Sequence, residues 1–179
     1  MQLLKIYSEN LYSFLKLDLD LTKYANGTTI ILGKNLDMDS SNGAGKSNIL
    51  KIIYFALWGS DHESIPLENL IHDQSDGSFF LYLDFSDGKD LFRIIRYHNY
   101  KGNAPIDLPE GKKIKGKGTV LLINGEEPFA SAEAGKTSVQ SLITNKLGMS
   151  PDIFLNSVFT PQKRKKPFWK VVSKIFFAL

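Results

Sequence analysis

Residues 40–47 read Ser-Ser-Asn-Gly-Ala-Gly-Lys-Ser, and this glycine-rich stretch decides the fold class of the chain. An apolar run at residues 28–33 precedes it and predicts a strand. Residues 48–58 follow it with apolar side chains at helical spacing and predict a helix. A strand, a glycine-rich loop, Gly-Lys-Ser and a helix form the context that a phosphate-binding P-loop requires. The sequence therefore predicts a nucleotide site at the start of this helix.

The chemistry of a bound nucleotide explains these residue types. Glycines let backbone N–H groups approach phosphates closely, and the positive end of the following helix adds to the attraction. In a P-loop, Lys46 would reach the β- and γ-phosphates and Ser47 would offer its hydroxyl to Mg²⁺. The predicted cofactors are ATP and Mg²⁺. The predicted nucleotide-binding residues are Asn42, Gly43, Ala44, Gly45, Lys46, Ser47 and Asn48.

Two features depart from the strict motif. Ser40 stands where the motif has glycine, and a polar segment at residues 34–39 lies between the predicted strand and the loop. The alternative interpretation is a glycine-rich loop that merely looks like a P-loop. The strand and helix patterns on its two sides favour the nucleotide site.

Composition limits the class of protein. A length of 179 residues suits one domain with a real core, and 42% hydrophobic with 12% aromatic residues argues against disorder. The sequence has no cysteine, so it has no disulfide framework and no cysteine-based zinc site. Neither a signal peptide nor a run long enough to cross a bilayer is visible, and we expect a cytoplasmic protein.

The net charge of +3 is small but unevenly placed. Two basic clusters suggest a polyanionic partner. The ordinary alternative for the first cluster is a solvated loop. The clusters are Lys112, Lys113, Lys115 and Lys117, and then Lys163, Arg164, Lys165 and Lys166.

The remaining patterns predict a mixture of strands and helices. Residues 79–85 and 91–97 alternate and are joined by Asp87-Gly88, which predicts an antiparallel hairpin. Residues 99–118 are rich in Gly, Pro and Lys and predict a long mobile loop. The other predicted strands are 3–7, 14–21, 119–123 and 157–160, and the other predicted helices are 138–147 and one starting at 151–155.

Several segments together resemble one family. They are the strand before Asn10-Leu11-Tyr12-Ser13-Phe14, the loop ending Asn-Gly-Ala-Gly-Lys-Ser, the hairpin, and residues 148–159 followed by Gln162. This combination resembles the N-terminal lobe of SMC-like ABC ATPases, in particular the SbcC-type double-strand-break repair ATPases. The polar insertion before the loop most resembles the phage recombination-endonuclease subunits of that group, which implies the host cytoplasm as the location if the chain is phage-encoded. The family binds DNA across the face where the first basic cluster lies, so the resemblance also implies contact of the two basic clusters with a DNA backbone.

The resemblance covers nearly the whole chain and implies an architecture. It implies an α/β fold of the ABC-ATPase N-terminal lobe type, with a mixed sheet around the P-loop helix and an antiparallel β portion. Residues 1–162 would form this incomplete nucleotide-binding domain. Residues 163–179 would form a basic aromatic tail, which either packs onto the domain, docks a partner protein, or lies on a membrane surface.

The resemblance also implies residue roles. Gln162 matches the family's Q-loop glutamine, which touches Mg²⁺ and the attacking water. Gln162 is therefore the predicted catalytic residue and, with Ser47, a predicted metal ligand. The alternative is an ordinary surface glutamine. Asn42 would brace the loop. The family often has a basic residue that reaches the nucleotide where this chain has Tyr12. We expect the three histidines, His62, His72 and His98, to lie on surface loops or strands.

The sequence lacks the signature motif, the apolar strand ending in Asp-Glu and the switch histidine of the family's second lobe. The first hypothesis is therefore the ATP-binding half of a truncated or split DNA-repair ATPase, which needs a second lobe or a homologous ATPase and works with a nuclease subunit. The second hypothesis is a stand-alone interaction protein that inhibits an SMC-like ATPase. A P-loop nucleotide kinase is disfavoured because no arginine-rich lid is visible.

Overall fold

The computed structural model describes residues 1–24, 30–34, 45–108, 114–128 and 139–157. Within these residues five strands form one sheet in the order β2-β1-β3-β4-β5, and all neighbouring strands are antiparallel. The strands are β1 (Gln2–Leu11), β2 (Phe14–Asp20), β3 (Phe79–Ser86), β4 (Leu91–His98) and β5 (Lys117–Ile123). The helices are α1 (Lys46–Trp58), α2 (Val139–Leu147) and α3 (Pro151–Ser157).

The predicted α/β fold with an antiparallel portion is confirmed. The β3–β4 hairpin has the register that its alternating side chains require, with Leu83 opposite Ile94 and Phe85 opposite Phe92. The hairpin and the helix after the glycine-rich loop lie where the sequence predicts them, within one or two residues. No helix in the part of the chain that the structure describes is long and apolar enough to cross a membrane.

Helix α1 is the centre of the main core. Seven successive residues, Ile52–Trp58, are buried, so the helix is surrounded by protein through most of its length. One side packs on the sheet, where the Phe55 and Phe79 rings meet edge to face at 5.6 Å. The other side meets α3, where Phe154 lies 6.2 Å from Trp58 between ring centroids. The sequence around the P-loop thus supplies both the proposed site and the core.

The opposite face of the sheet carries a second, aromatic cluster. Tyr7 and Tyr82 stack with centroids 5.3 Å apart, and Phe80 is fully buried beside them. The segment after β4, predicted to be a mobile loop, covers this cluster with the side chains of Tyr100, Ala104, Ile106, Leu108 and Ile114. The described residues before β5 form a loop, as predicted, but they pack on the sheet because their apolar side chains, spread among Gly, Pro and Lys, take partly buried positions there.

The predicted strand before the P-loop is also not observed in its described part. Residues 30–34 have no regular secondary structure, and Ile30 and Leu32 are 77% and 88% exposed. A strand needs a neighbour for its backbone hydrogen bonds, and the described sheet does not extend to this segment. Residues 28 and 29, and the predicted strand 157–160 beyond Ser157, lie outside the described residues.

Arg96, on strand β4, caps the C-terminal end of α1 with hydrogen bonds to its last carbonyl groups. Its Nε donates to the Ala56 carbonyl at 2.7 Å and its Nη2 to the Leu57 carbonyl at 3.2 Å. The same guanidinium bonds Thr119 Oγ1 at 2.9 Å and Gln140 Oε1 at 2.6 Å, and so joins α1, β4, β5 and α2. Burial lowers the pKa of Arg96 to about 10, which leaves it charged at neutral pH. A cation at this position also complements the helix dipole.

The residue that ends α1, Gly59, must be small because the Arg96 guanidinium lies directly against it. Gly59 has φ +72°, and a Cβ atom at Gly59 would lie 2.7 Å from Arg96 Nη1. Glycine therefore meets two requirements at once, the left-handed backbone of a helix C-terminus and the close approach of the guanidinium.

We expect Arg96→Met to destabilise the protein by about 3 kcal/mol, because it leaves buried carbonyl acceptors at the end of α1 without their charged donor. The measurement is the free energy of unfolding by urea denaturation. Lys89→Met, at the exposed turn between β3 and β4, is the matched control and should change stability by less than about 0.5 kcal/mol. Equal stabilities of the two variants would contradict the role given to Arg96.

Candidate functional site

The candidate site lies at the N-terminal end of α1. Gly45 precedes the helix in the left-handed conformation with φ 76°, and Lys46 and Ser47 form the start of its first turn. Lys46 is half-buried and Ser47 is exposed. The first N–H groups of a helix have no intrahelical acceptor and lie at the positive end of its dipole. This end of α1 therefore has the backbone donors, the cation and the hydroxyl that a phosphate with Mg²⁺ requires.

The structure brings together four of the predicted site residues, Gly45, Lys46, Ser47 and Asn48. The others lie outside the described residues: Asn42, Gly43, Ala44 and Gln162. The roles of these four residues in nucleotide and metal binding stay predictions.

The turn between β1 and β2 packs directly against the start of α1. A Cβ atom at Gly45 would lie 2.9 Å from both the Phe14 ring and Ser13 Oγ. Asn48 Nδ2 donates a hydrogen bond of 2.8 Å to Ser13 Oγ. Ser13 and Phe14 therefore border the site, although the sequence analysis gave them no role in it. The one sequence feature that could have assigned them to the site is their place in the Asn10–Phe14 segment, which is part of the family resemblance.

Tyr12, which stands where the family often has a basic residue, points into the protein. Its hydroxyl donates to Asp61 Oδ2 at 2.7 Å, and Asp61 is only 4% exposed. Burial, then the hydrogen bond to Asp61, raises the pKa of Tyr12 well above its usual value. The Tyr12 side chain is thus committed to the interior in this structure.

A small charged network continues from Tyr12. Lys51 Nζ lies 6.0 Å from the Tyr12 ring centroid and 3.1 Å from Glu63 Oε2. The hydrogen bond from Lys51 lowers the pKa of Glu63. Asp61, His62 and Glu63 have ligand atoms within 4.8 Å of one another. However, Asp61 accepts hydrogen bonds from Tyr12 and from the Glu63 N–H, so a metal ion would have to displace existing partners.

One histidine prediction was wrong. The His62 side chain is only 6% exposed and its ring lies 5.9 Å from that of Tyr54, so it belongs to the interior rather than to the surface. The Asp61–Glu63 turn holds it there after α1 ends.

Of the first basic cluster, Lys115 and Lys117 are described, and both are exposed, Lys117 at the start of β5 and Lys115 two residues before it. Lys112 and Lys113, and the second cluster at residues 163–166, lie outside the described residues. Contact with a polyanion through these lysines stays a prediction.

The fold and the motif define a class, namely an α/β domain whose central helix opens from a P-loop motif. Residues 5–175 match the family model described as an AAA domain (AAA_23), and the chain belongs to this family. This match takes in the glycine-rich loop, the sheet and the helices described above.

Known proteins extend the comparison. The chain is 25% identical over 140 residues to a DNA double-strand break repair Rad50 ATPase of Methanocaldococcus jannaschii, covering 78% of this chain and 11% of that protein. It is 27% identical over 139 residues to the Rad50 ATPase of Thermoplasma acidophilum, covering 78% of this chain and 13% of that protein. These similarities confirm the predicted resemblance to SMC-like repair ATPases. The chain spans little more than a tenth of the length of these relatives.

Among solved structures, the recombination mediator protein RecF-ATP of the RecFOR pathway aligns with 79% of this chain and 30% of its own chain. The TM-score is 0.43 and the sequence identity is 18%.

We expect Gly45→Ala to destabilise the protein more than Gly77→Ala does. Both glycines have a left-handed φ, +76° and +80°, but a Cβ atom at Gly77 meets nothing within 4 Å. Each variant should lose about 1–2 kcal/mol from backbone strain, and Gly45→Ala about 1 kcal/mol more from its contact with Phe14 and Ser13. Urea denaturation measures both, and equal losses would contradict the packing of the β1–β2 turn on Gly45 at the start of α1.

A second prediction concerns alkaline pH. Because the folded pKa of Tyr12 is raised above the ordinary value of 10.0, its contribution to stability is present below pH 10 and is lost as the pH rises above that value. We expect Tyr12→Phe to be less stable than wild type at pH 7 by about 1–2 kcal/mol, because the buried Asp61 loses one of its two hydrogen-bond donors. Above pH 10, the free energy of unfolding of Tyr12→Phe should fall less steeply with pH than that of the wild-type protein.

Denaturation at several pH values measures both effects. Tyr24→Phe is the control, because Tyr24 is 53% exposed and its substitution should change the stability at pH 7 by less than about 0.5 kcal/mol. Parallel alkaline slopes for wild type and Tyr12→Phe would contradict the buried Tyr12–Asp61 contact.

Proposed function

We propose that this chain is the ATP-binding half of an SMC-like DNA-repair ATPase that requires a second lobe for hydrolysis. One observation carries the proposal: Gly45, Lys46 and Ser47 open the buried central helix of a chain that belongs to the AAA-domain family. The Rad50 names of its relatives support a place in double-strand-break repair.

The proposed roles follow from position and chemistry. Backbone N–H groups of residues 43–47 would hold the phosphates, and Lys46 would neutralise the β- and γ-phosphates. Ser47 would offer its exposed hydroxyl to Mg²⁺, with Gln162 as the second metal contact and the residue that orients water. Mg²⁺ would neutralise phosphate charge. Asn42 would brace the loop. The described part of the site fits this use because the first turn of α1 is held in place by packing on the β1–β2 turn.

Phosphoryl transfer also needs a positioned water and a charge clamp, and the family's second lobe supplies part of these. Within this sequence no apolar strand ends in Asp-Glu. Ile30, Ile31 and Leu32, just before the loop, are exposed apolar side chains of the kind that a second lobe would cover. We therefore include a second lobe or a homologous ATPase among the proposed partners, together with a nuclease subunit.

Other parts of the proposal rest on sequence alone. DNA contact through the two basic clusters, a domain boundary at residues 162 and 163, a cytoplasmic location and a phage origin remain predictions. The described lysines, Lys115 and Lys117, are exposed and so accessible to a polyanion.

The second candidate is an interaction protein that occupies and inhibits an SMC-like ATPase. The observation that favours it is the same exposed apolar segment, residues 30–32. In this case the surface, and not the nucleotide, would carry the function.

Titration calorimetry with ATP and Mg²⁺ tests the first proposal. We expect the wild-type chain to bind, and Lys46→Ala to weaken binding by about 10- to 100-fold, the effect of losing a charge-assisted hydrogen bond. Lys89→Ala, at a distant exposed turn, is the matched control and should bind as wild type does. No binding by the wild-type chain would contradict the proposal, and capture of an intact ATPase that survives Lys46→Ala would favour the second candidate.

A further inference from the structure

Asn48 lies in the P-loop helix, and its side chain has a partner on another element. The Asn48 amide nitrogen donates to the hydroxyl of Ser13 at 2.8 Å, although the two residues are 35 positions apart in the sequence. The sequence pattern predicts that Asn48 contacts the nucleotide, whereas in the structure its side-chain N–H is directed to the turn between β1 and β2.

Helix geometry separates Asn48 from the phosphate-binding side chain. Successive helical residues are rotated by about 100°, so the Asn48 side chain leaves the helix roughly 200° from that of Lys46. A side chain on nearly the opposite side of the helix is poorly placed to share a phosphate with Lys46. It is well placed to fix the helix against a neighbouring element.

Ser13 contacts both ends of the first turn of α1. Its Oγ accepts the hydrogen bond from Asn48 and also lies 2.9 Å from where a Cβ atom of Gly45 would be. The Asn48 N–H in turn donates to the Gly45 carbonyl at 2.9 Å. One hydroxyl therefore meets the turn that carries Lys46 and Ser47 at two positions.

The turn that bears Ser13 is itself held firmly. Tyr12 N–H donates to the Leu70 carbonyl at 2.6 Å, and its hydroxyl is bonded to the buried Asp61. The His72 N–H donates to the Asn10 carbonyl at 3.0 Å. These bonds fix the β1–β2 turn to the core. The Ser13–Asn48 hydrogen bond then fixes the start of α1 to this turn.

We propose that Ser13 and Asn48 are a positioning pair for the phosphate site, and that Asn48 acts through Ser13 rather than on the nucleotide. The inference rests on the proposed ATP binding. Binding groups that are held in place before the ligand arrives lose less freedom on binding, so loosening the first turn should lower nucleotide affinity. Neither residue needs to touch the nucleotide for this effect.

A double-mutant cycle tests the pair. Affinity for ATP with Mg²⁺ is measured for wild type, Ser13→Ala, Asn48→Ala and the double variant. Each single change should weaken binding by about fivefold, the value of one ordinary hydrogen bond. The double variant should be no weaker than either single variant, because both changes remove the same bond. Ser13→Thr keeps the hydroxyl and should retain most of the affinity.

The proposal is overturned if Asn48→Ala weakens ATP binding as much in the Ser13→Ala variant as it does in the wild-type chain. That result would identify Asn48 as a direct ligand of the nucleotide. Wild-type affinity in both single variants also overturns it, while a loss in Lys46→Ala keeps the proposed function intact. If the wild-type chain binds no ATP, the proposed function fails, and amide exchange decides the pair on its own. Faster exchange at Ile49 and Leu50 in Ser13→Ala then supports the pair, and unchanged exchange overturns it.

Discussion

A buried guanidinium at the end of the central helix is the constraint on which the rest of this structure depends. Arg96 reaches from β4 to the carbonyls of Ala56 and Leu57 and to the side chains of Thr119 and Gln140. A buried charge is tolerated only where it is fully hydrogen-bonded, so these elements must meet at one point and in one register. The position of α1 on the sheet is therefore set from its C-terminal end.

The opposite end of α1 is held in a different way. There the contacts are a hydrogen bond between Asn48 and Ser13 and the close packing of Phe14 on Gly45. The helix is thus fixed at both ends, with its positive dipole end directed to the glycine-rich loop and a cation at its negative end. The fold and the candidate site are connected through this one helix, because the side chains that build the core follow directly after those that would bind phosphate.

Much of this could be predicted from the sequence. The β3–β4 hairpin and α1 have strong periodicity and clear glycine signals, and both were predicted within two residues. The spacing of Arg93 and Arg96 also places them on opposite faces of β4: Arg93 pairs with Asp84 on the outer face and Arg96 is buried against α1. The bonding partners of Arg96 could not be predicted, because they come from segments far apart in the chain.

The differences between prediction and structure have a common physical cause. Residues 30–34 have strand-like composition but no strand beside them among the described residues, and residues 99–108 form the predicted loop but pack on an aromatic surface. His62 sits in a polar stretch that folds back against Tyr54. In each case tertiary contacts, which local pattern does not encode, decided the outcome.

Amide hydrogen exchange with and without ATP and Mg²⁺ tests the central claim most directly, since it reports where along the chain a ligand acts. We expect protection at the start of α1, residues 45–50, and at the β1–β2 turn, residues 10–14, with no change in β4 and β5. Protection confined to β4 and β5, or no protection at α1 under conditions where ATP is bound, would contradict the assignment of the nucleotide site to this helix.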